Sequence, residues 1–366
     1  LEVSTGANKT ATIAVNANLK EYKATGTGSD NLTISGNSTV AVNKIDTGAG
    51  NDTVNVNASG SITGTLDTGN GDDTVVVSGN GASIAGAKIS LGAGDDKITL
   101  TNSVGANGLK DATIDGGAGR DTLIVSGDIS SKGTFKLNSV EVLQASGASA
   151  KVSYATIKDQ ALTLTKDSNG TLEIIAANET AIDLTKLNNK AATGETALTA
   201  LTLSDVGSGA NSGVTVTLNK DDGISETIKL ASSAANVTIV GIASGDKLDL
   251  TAINDLSQLS SLVTTALVST SSVTVSSNKV YFMNAASAID DATKAAAALT
   301  SAVSSFASSA KALIAFNNGG KSYLFKAIGD STTNDIKASE LTLIGIVDNE
   351  INASDKVSPN GTIEFV

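Results

Sequence analysis

Residues 66–77, with the sequence LDTGNGDDTVVV, recur almost unchanged along the first third of the chain. Gapless copies occupy residues 45–56 (IDTGAGNDTVNV), 89–100 (ISLGAGDDKITL) and 114–125 (IDGGAGRDTLIV), and a weaker copy occupies residues 25–34 (TGTGSDNLTI). Successive copies are 22, 21, 23 and 25 residues apart, measured between their last aspartates, Asp30, Asp52, Asp73, Asp96 and Asp121. A repeat of this length indicates stacked units, because one unit cannot bury its apolar face alone.

Each copy combines a tight turn with a short strand. The Gly-x-Gly core permits positive φ angles, so the chain can turn sharply, and the Thr-Val-x-Val segment after the aspartate alternates as a strand does. A second strand lies between the copies, for example at residues 61–66 and 87–91. The sequence therefore predicts an all-β chain, a right-handed parallel β-solenoid (β-roll) with two strands and one aspartate-bearing turn per coil.

The turns also have the chemistry of a calcium site. Calcium takes six to eight oxygen ligands, and a loop of carbonyls with one Asp carboxylate supplies about half of them. Two loops stacked one coil apart would complete the shell, so each ion would join two coils. We expect about three to four ions, all on one edge of the solenoid. The alternative is a calcium-free solenoid that uses the same Gly-Asp turns.

These copies resemble the RTX family, whose calcium-binding nonapeptide is G-G-x-G-x-D-x-U-x. Residues 116–124 match it at every defined position, whereas Thr47, Thr68 and Leu91 replace the first glycine in the other intact copies. A further departure is the period, since RTX arrays typically repeat every nine residues and carry calcium on both edges. The resemblance implies that calcium binds through loop carbonyls and the Asp carboxylate at Gly26, Gly28, Asp30, Thr47, Gly48, Ala49, Gly50, Asp52, Thr68, Gly69, Asn70, Gly71, Asp73, Leu91, Gly92, Ala93, Gly94, Asp96, Gly116, Gly117, Ala118, Gly119 and Asp121.

The composition excludes several functions. The 366 residues contain no histidine and no cysteine, so a His-dependent triad, an HExxH protease site and thiol chemistry are impossible in this chain. A net charge of −12 disfavours nucleic acid and anionic membranes and favours divalent cations. No apolar run is long enough to span a bilayer. We therefore expect no enzyme, no catalytic residue and no membrane span, and the start at Leu1 suggests a fragment.

Beyond residue 146 the repeats fade while the β character continues. Residues 1–146 are assigned to the calcium-binding solenoid, and residues 147–284 to a further β-solenoid or β-sandwich-like region, with strands expected at 161–165, 171–175 and 214–218. Residues 225–230 (SETIKL) and 245–251 (GDKLDLT) look like the C-terminal flank of RTX modules. There Asp246 and Asp249 are interpreted as solvated turn residues, with a further calcium site as the alternative.

Residues 285–366 are assigned to a cap made of a helix and a β-hairpin. Apolar residues at alternating steps of three and four predict an amphipathic helix over 285–311, opened by a capping box at residues 287–290. Asn317-Asn-Gly-Gly320 between two apolar strands predicts a hairpin. This region resembles the C-terminal signals of proteins exported by bacterial type I secretion, which implies recognition by that export apparatus.

Three functional classes remain open. The chain resembles RTX-type bacterial surface-layer (S-layer) proteins, of which it would be the C-terminal assembly portion. That resemblance implies a calcium-folded structural subunit that self-assembles into a two-dimensional lattice on a Gram-negative cell, while a separate region binds the cell-surface polysaccharide. The second class is the C-terminal RTX and secretion portion of a large surface adhesin. The third is the non-catalytic tail of an RTX protease or lipase.

Overall fold

The fold is described from a computed structural model that covers residues 2–5, 11–15, 18–35, 40–208, 213–234, 236–263, 273–300, 302–329 and 337–366. The chain is nearly all β, with 5% helix, and its stacked parallel sheets form a β-solenoid. This confirms the predicted fold class. The chain divides into two compact units, the first formed by Leu1–Ile175 and Lys186–Thr199 and the second by Ala176–Thr185 and Ala200–Val366.

Two parallel sheets build the first unit. In spatial order, one sheet contains β1 (Glu2–Thr5), β3 (Leu19–Gly26), β5 (Val40–Asp46), β7 (Gly60–Asp67), β9 (Lys88–Ala93), β11 (Thr113–Ala118) and β13 (Lys136–Asn138). The other contains, again in spatial order, β2 (Ala11–Val15), β4 (Asp30–Ile34), β6 (Thr53–Val56), β8 (Thr74–Val77), β10 (Lys97–Thr101), β12 (Thr122–Asp128), β14 (Val142–Ser153) and β16 (Leu172–Ile175). Strand β14 also pairs with β15 (Thr163–Lys166), which pairs with β18 (Thr196–Ala197), and α1 (Tyr154–Ile157) follows β14.

Columns of identical positions fill the core between these two sheets. The strand register places Val54, Val75 and Ile98 directly above one another, and Ile45, Leu66 and Ile89 do the same on the opposite sheet. All six side chains are at most 2% exposed. Burial of each such side chain contributes about 1.5–3 kcal/mol. Because the repeats differ mainly at outward positions, the inward columns keep the coils in register.

The second unit mixes parallel and antiparallel strands. One sheet runs through β19 (Ala200–Val206), β21 (Ser225–Leu230), β23 (Lys247–Asp249), β32 (Thr362–Glu364) and β31 (Lys356–Ser358). The larger sheet runs through β17 (Ala181–Asp183), β20 (Thr215–Thr217), β22 (Val237–Val240), β30 (Leu341–Val347), β29 (Lys321–Ile328), β28 (Lys311–Asn318), β26 (Lys279–Asn284) and β24 (Ser261–Leu262). A short pair, β25 (Val273–Val275) and β27 (Val303–Phe306), the helix α2 (Ala292–Thr300) and a 3₁₀ turn at Ala338–Glu340 complete it.

The predicted hairpin is confirmed. Strands β28 and β29 pair antiparallel in one continuous register, and Gly319 and Gly320 form the turn with positive φ angles. Phe316 and Phe325 stack edge to face across the two strands, with ring centroids 5.5 Å apart. The hairpin therefore begins and ends close to the residues expected from the Asn-Asn-Gly-Gly turn.

The predicted helix over 285–311 is wrong at both ends. The helix spans only Ala292–Thr300 and begins after Asp291, whose Oδ1 accepts a hydrogen bond from the Lys294 N–H at 2.8 Å, so the expected capping box at 287–290 is not used. Val303–Phe306 forms strand β27 instead, paired with β25, while residue 301 lies outside the described residues. Serine and β-branched residues beyond Thr300 have low helix propensity, so strand pairing prevails there.

Candidate metal centre

The repeated turns stack directly above one another at one edge of the first unit. Each turn connects a strand of the first sheet to a strand of the second, as residues 68–73 connect β7 to β8. Isolated parallel bridges join Ala49 to Asn70 and Asn70 to Ala93 from coil to coil. The main chain of the turns thus continues the sheet ladder through the edge, and equivalent residues of successive copies become neighbours.

The glycines of the Gly-x-Gly turns at residues 69–71, 92–94 and 117–119 leave no room for a side chain, whereas a β-carbon on Gly48 would lie 3.5 Å from the nearest carbonyl oxygen. Gly69 and Gly71 have φ angles of +93° and +133°, which disfavour any side chain. A β-carbon on Gly69 would lie 1.7 Å from the Gly48 carbonyl oxygen, and one on Gly71 would lie 2.1 Å from the Gly50 carbonyl oxygen. The same relation holds one coil further on, so glycine permits the close stacking of the loops.

The last aspartates of the copies form a buried column. The main-chain N–H of each aspartate donates to the carboxylate Oδ1 of the aspartate in the next coil, at 2.7 Å for Asp52 to Asp73 and for Asp73 to Asp96. The same bond joins Asp30 to Asp52 at 2.7 Å and Asp96 to Asp121 at 2.9 Å. None of the five residues is more than 2% exposed. We call these five residues the aspartate column.

One carboxylate oxygen of every member of the aspartate column has no hydrogen-bond partner. These oxygens are buried, and they are Oδ1 of Asp30 and Oδ2 of Asp52, Asp73, Asp96 and Asp121. A buried, unsatisfied acceptor costs roughly 1–3 kcal/mol, and more when it carries charge. Because these oxygens occupy equivalent positions in every turn, the lack of a partner is a shared property of the turns. A bound group that contacts all of them would remove this cost.

Burial disfavours the charged form of these carboxyl groups. It raises the pKa of Asp52 and Asp121 to about 6 and that of Asp73 to about 7, and it also raises the pKa of Asp96. The N–H bond that each carboxyl accepts opposes this shift but does not cancel it. In the absence of a cation, the folded column consequently takes up protons near neutral pH.

Threonine hydroxyls lie beside two members of the column. Thr47 Oγ1 donates to the Thr68 carbonyl oxygen at 3.1 Å, and Thr68 Oγ1 donates to the Leu91 carbonyl oxygen at 2.6 Å. In the last copy this position is Gly116, where a β-carbon would lie 2.5 Å from Asp121 Oδ2. The first glycine of the nonapeptide therefore gives room to the carboxylate in that coil.

The loop carbonyls point partly along the stack. The Gly48 and Gly69 oxygens accept the Asn70 and Ala93 N–H groups at 3.2 and 2.8 Å, and the Asn70 oxygen accepts the Gly50 N–H at 2.8 Å. A carbonyl oxygen has a second lone pair, so these bonds leave it able to bind a cation. Among the described residues, no group of three or more acidic side chains has the geometry to hold a metal by itself. An ion here would need main-chain oxygens as well as carboxylates.

An outer ladder runs beside the aspartate column and was not expected from the sequence. Asp72 N–H donates to Asn51 Oδ1 at 3.1 Å, Asp95 N–H to Asp72 Oδ1 at 2.9 Å, and Arg120 N–H to Asp95 Oδ1 at 2.9 Å. Each of these side chains belongs to the residue just before a column aspartate. They accept an N–H bond from the following coil, whereas the column aspartates accept one from the preceding coil. The signal was present, since the residue before the last aspartate is polar in every copy: Ser29, Asn51, Asp72, Asp95 and Arg120.

Different residues end the two ladders. Glu141 takes the place of the next aspartate, and its Oε2 accepts the Asp121 N–H at 2.8 Å. The Arg120 guanidinium forms two hydrogen bonds with the Glu195 carboxylate, at 3.1 and 2.8 Å. Glu195 belongs to Lys186–Thr199, the second of the two chain segments that form the first unit. This ion pair fastens that segment beside the last turn.

In the second unit, the interpretation of Asp246 and Asp249 as solvated turn residues is wrong. Asp246 is 1% exposed and Asp249 is 8% exposed. Asp246 accepts two main-chain N–H bonds, from Glu226 to Oδ1 and from Ala243 to Oδ2, at 3.0 and 2.8 Å. The loop before β23 turns back onto Asp246 through the Ala243 N–H, and Asp249 Oδ1 accepts the Thr251 N–H at 2.9 Å, which the local sequence does not indicate.

Comparisons with protein-family models, with curated proteins and with solved structures found no match to this chain. Among the described residues, none of the helices has the length and apolar character needed to cross a bilayer.

Proposed function

We propose that the aspartate column binds calcium ions and that these ions stabilise the stacked coils. The observation that supports this most directly is the row of buried, unpartnered carboxylate oxygens on equivalent residues. A divalent cation between consecutive loops would neutralise these carboxylates and give each orphaned oxygen a partner. The residues that would hold it are the column aspartates with the main-chain oxygens of the Gly-x-Gly loops.

Calcium suits this column better than magnesium. Calcium accepts six to eight oxygen ligands in flexible geometry, including main-chain carbonyls. Magnesium demands near-octahedral geometry and retains several of its waters, which a buried column with one free carboxylate oxygen per coil does not accommodate. Binding would add its free energy to folding, because the unfolded chain has no preformed site.

We further propose a structural role, as an S-layer subunit that folds on calcium outside the cell and assembles into a two-dimensional lattice. The RTX-like turns, the β-solenoid, the net charge of −12 and the absence of histidine and cysteine support this role over a catalytic one. Sites of roughly micromolar affinity would stay empty in the cytosol and fill outside it. The expected partners are further copies of the chain, the type I export apparatus and, through another region, the polysaccharide of a Gram-negative cell surface.

Electron microscopy of the purified chain with calcium chloride tests the assembly. An S-layer subunit forms two-dimensional sheets when calcium is added and loses them with chelator. Soluble monomers at millimolar calcium would contradict the proposal. Binding of such monomers to cells would favour the adhesin instead.

Circular dichroism with and without chelator tests calcium-coupled folding separately. We expect the β signal of the calcium-loaded chain to weaken when the chelator removes the ions. A signal that stays unchanged across that titration would contradict calcium-coupled folding, whatever the microscopy shows.

A further inference from the structure

The aspartate column has a counterpart in the second unit. Strand β21 pairs with β23 so that Thr227 lies opposite Lys247, as Thr74 lies opposite Lys97 in the first unit. The residue before each of these is acidic, and the Glu226 N–H donates to Asp246 Oδ1 at 3.0 Å, the same bond that joins Asp73 to Asp96. Glu226 and Asp246 are thus joined as two neighbouring members of the aspartate column are, although no Gly-x-Gly motif precedes them.

A third carboxyl group completes this cluster. Asp222 is 4% exposed, and its Oδ1 accepts the Ile224 N–H at 2.8 Å. Its Oδ2 is buried without any hydrogen-bond partner, as in the aspartate column. Burial and the nearby Asp246 raise the pKa of Asp222, and the Asp222 carboxyl contacts the Glu226 side chain, so the three carboxyl groups form one cluster.

The three carboxyl groups differ in which of their oxygens accept hydrogen bonds. Asp246 accepts one main-chain N–H bond on each oxygen, from Glu226 and from Ala243. Asp222 Oδ2 accepts no hydrogen bond, and the Glu226 carboxyl lies against the carboxyls of Asp222 and Asp246. No ion pair among the described residues joins Asp222, Glu226 or Asp246 to a lysine or arginine. Burial and the two neighbouring aspartates raise the pKa of Glu226, which is the response of a buried acid without a compensating cation.

We propose that Asp222 and Glu226 bind one calcium ion in the second unit, with Asp246 orienting the strand that carries Glu226. Two carboxylates supply the charge, and main-chain oxygens and water supply the remaining ligands. This is consistent with the lack of any set of three acidic side chains that could hold a metal alone. The site is independent of the Gly-x-Gly turns and does not rest on the calcium proposal for the first unit.

Hydrogen exchange of the full chain, followed peptide by peptide by mass spectrometry, tests this site. We expect calcium chloride to slow exchange in residues 219–230 and 243–249, and Glu226→Gln or Asp222→Asn to abolish that effect and lower the bound calcium by one ion per chain. The matched control is Asp355→Asn, because Asp355 is also buried in this unit but both its oxygens accept N–H bonds. It should leave both readings unchanged.

The outcomes separate this site from the aspartate column. Calcium-dependent protection of residues 66–77 reports on the column, and its presence or absence does not decide the second site. Glu226→Gln mimics a protonated glutamate, so a cluster that holds only a proton would give equal calcium content and equal protection in the variant and the wild type. That result would overturn the proposal. Should the variants fail to fold, wild-type chain without calcium-dependent protection in residues 219–230 would overturn it as well.

Discussion

At the scale of single residues, Gly69 tolerates no side chain for two separate reasons. Gly69 needs both a positive φ and free space below the Gly48 oxygen. We expect Gly69→Ala to lose about 1–3 kcal/mol from backbone strain and a similar ~1–3 kcal/mol from overlap. Urea unfolding in calcium measures the loss.

Gly86→Ala is the matched control for this change. Gly86 has a φ of +72°, but a β-carbon there meets nothing within 4 Å. It should lose only the strain component, so equal losses for Gly69→Ala and Gly86→Ala would show that the stacked carbonyls do not restrict the turn.

The buried column makes the metal-free protein sensitive to pH. Burial raises the pKa of Asp73 from 3.8 to about 7, so the folded chain retains a proton that the unfolded chain releases. Stability in chelator should therefore be greatest below about pH 4 and fall as the pH rises toward 7, because the folded state binds more protons over that range. Calcium should reverse the trend, since its ligands must be deprotonated. Unfolding midpoints measured with and without chelator across this range test the sign.

Asp73→Asn provides the control for the pH dependence. The amide oxygen can still accept the Asp52 N–H, but the group no longer titrates. In chelator the variant should lose part of the fall in stability between pH 4 and 7. An unchanged slope would mean that Asp73 does not carry a raised pKa in the folded chain.

At the scale of elements, an ion pair adds to the contacts of the last turn of the repeat, where Glu141 replaces the next aspartate. The side chains of Arg120 and Glu195 are 34% and 27% exposed and form two hydrogen bonds. We expect a double-mutant cycle with Arg120→Met and Glu195→Gln to give a coupling of about 1 kcal/mol, at the upper end for partly exposed pairs. The coupling should decrease in high salt. Strictly additive losses would show that the pair does not fasten the segment.

The apolar pattern of residues 289–310, which predicts one helix, is divided by tertiary packing into a helix and a strand. Ala295 and Leu299 pack into one buried cluster with Phe306 and Phe316, yet Phe306 enters that cluster from a strand. The apolar spacing of 289–310 is satisfied by a helix followed by a strand, since both direct their apolar residues at the same cluster. Spacing alone cannot separate these two solutions.

At the scale of the whole molecule, each calcium site should add its own share to the free energy of unfolding, and a single variant should remove the share of one site. A site at a free calcium concentration of 100 times its Kd adds about 2.7 kcal/mol. We expect Asp73→Asn or Asp96→Asn to reduce the stability gained on adding calcium by about this amount each, with a much smaller change in chelator. Urea unfolding in both conditions measures the difference.

Asp159→Asn is the control for this prediction. Asp159 is exposed and lies outside the turns, so its loss of charge should leave the calcium-dependent gain as it was. Equal calcium-dependent gains in all three variants and the wild type would contradict the assignment of calcium to the column.

The repeat by itself determined the parallel solenoid, the coil length and the edge on which the turns stack. It could do so because Gly-x-Gly-x-Asp requires positive φ angles at set positions and because Val-x-Val alternation sets the inward face, and both are local properties. The hairpin at Asn317–Gly320 was predictable for the same reason. Only the tertiary structure decided that one oxygen of each column aspartate has no partner, that Asp222 meets Glu226 and Asp246, and that 303–306 is a strand. These depend on which residues lie opposite one another across coils, and register between distant strands follows from packing of the whole core.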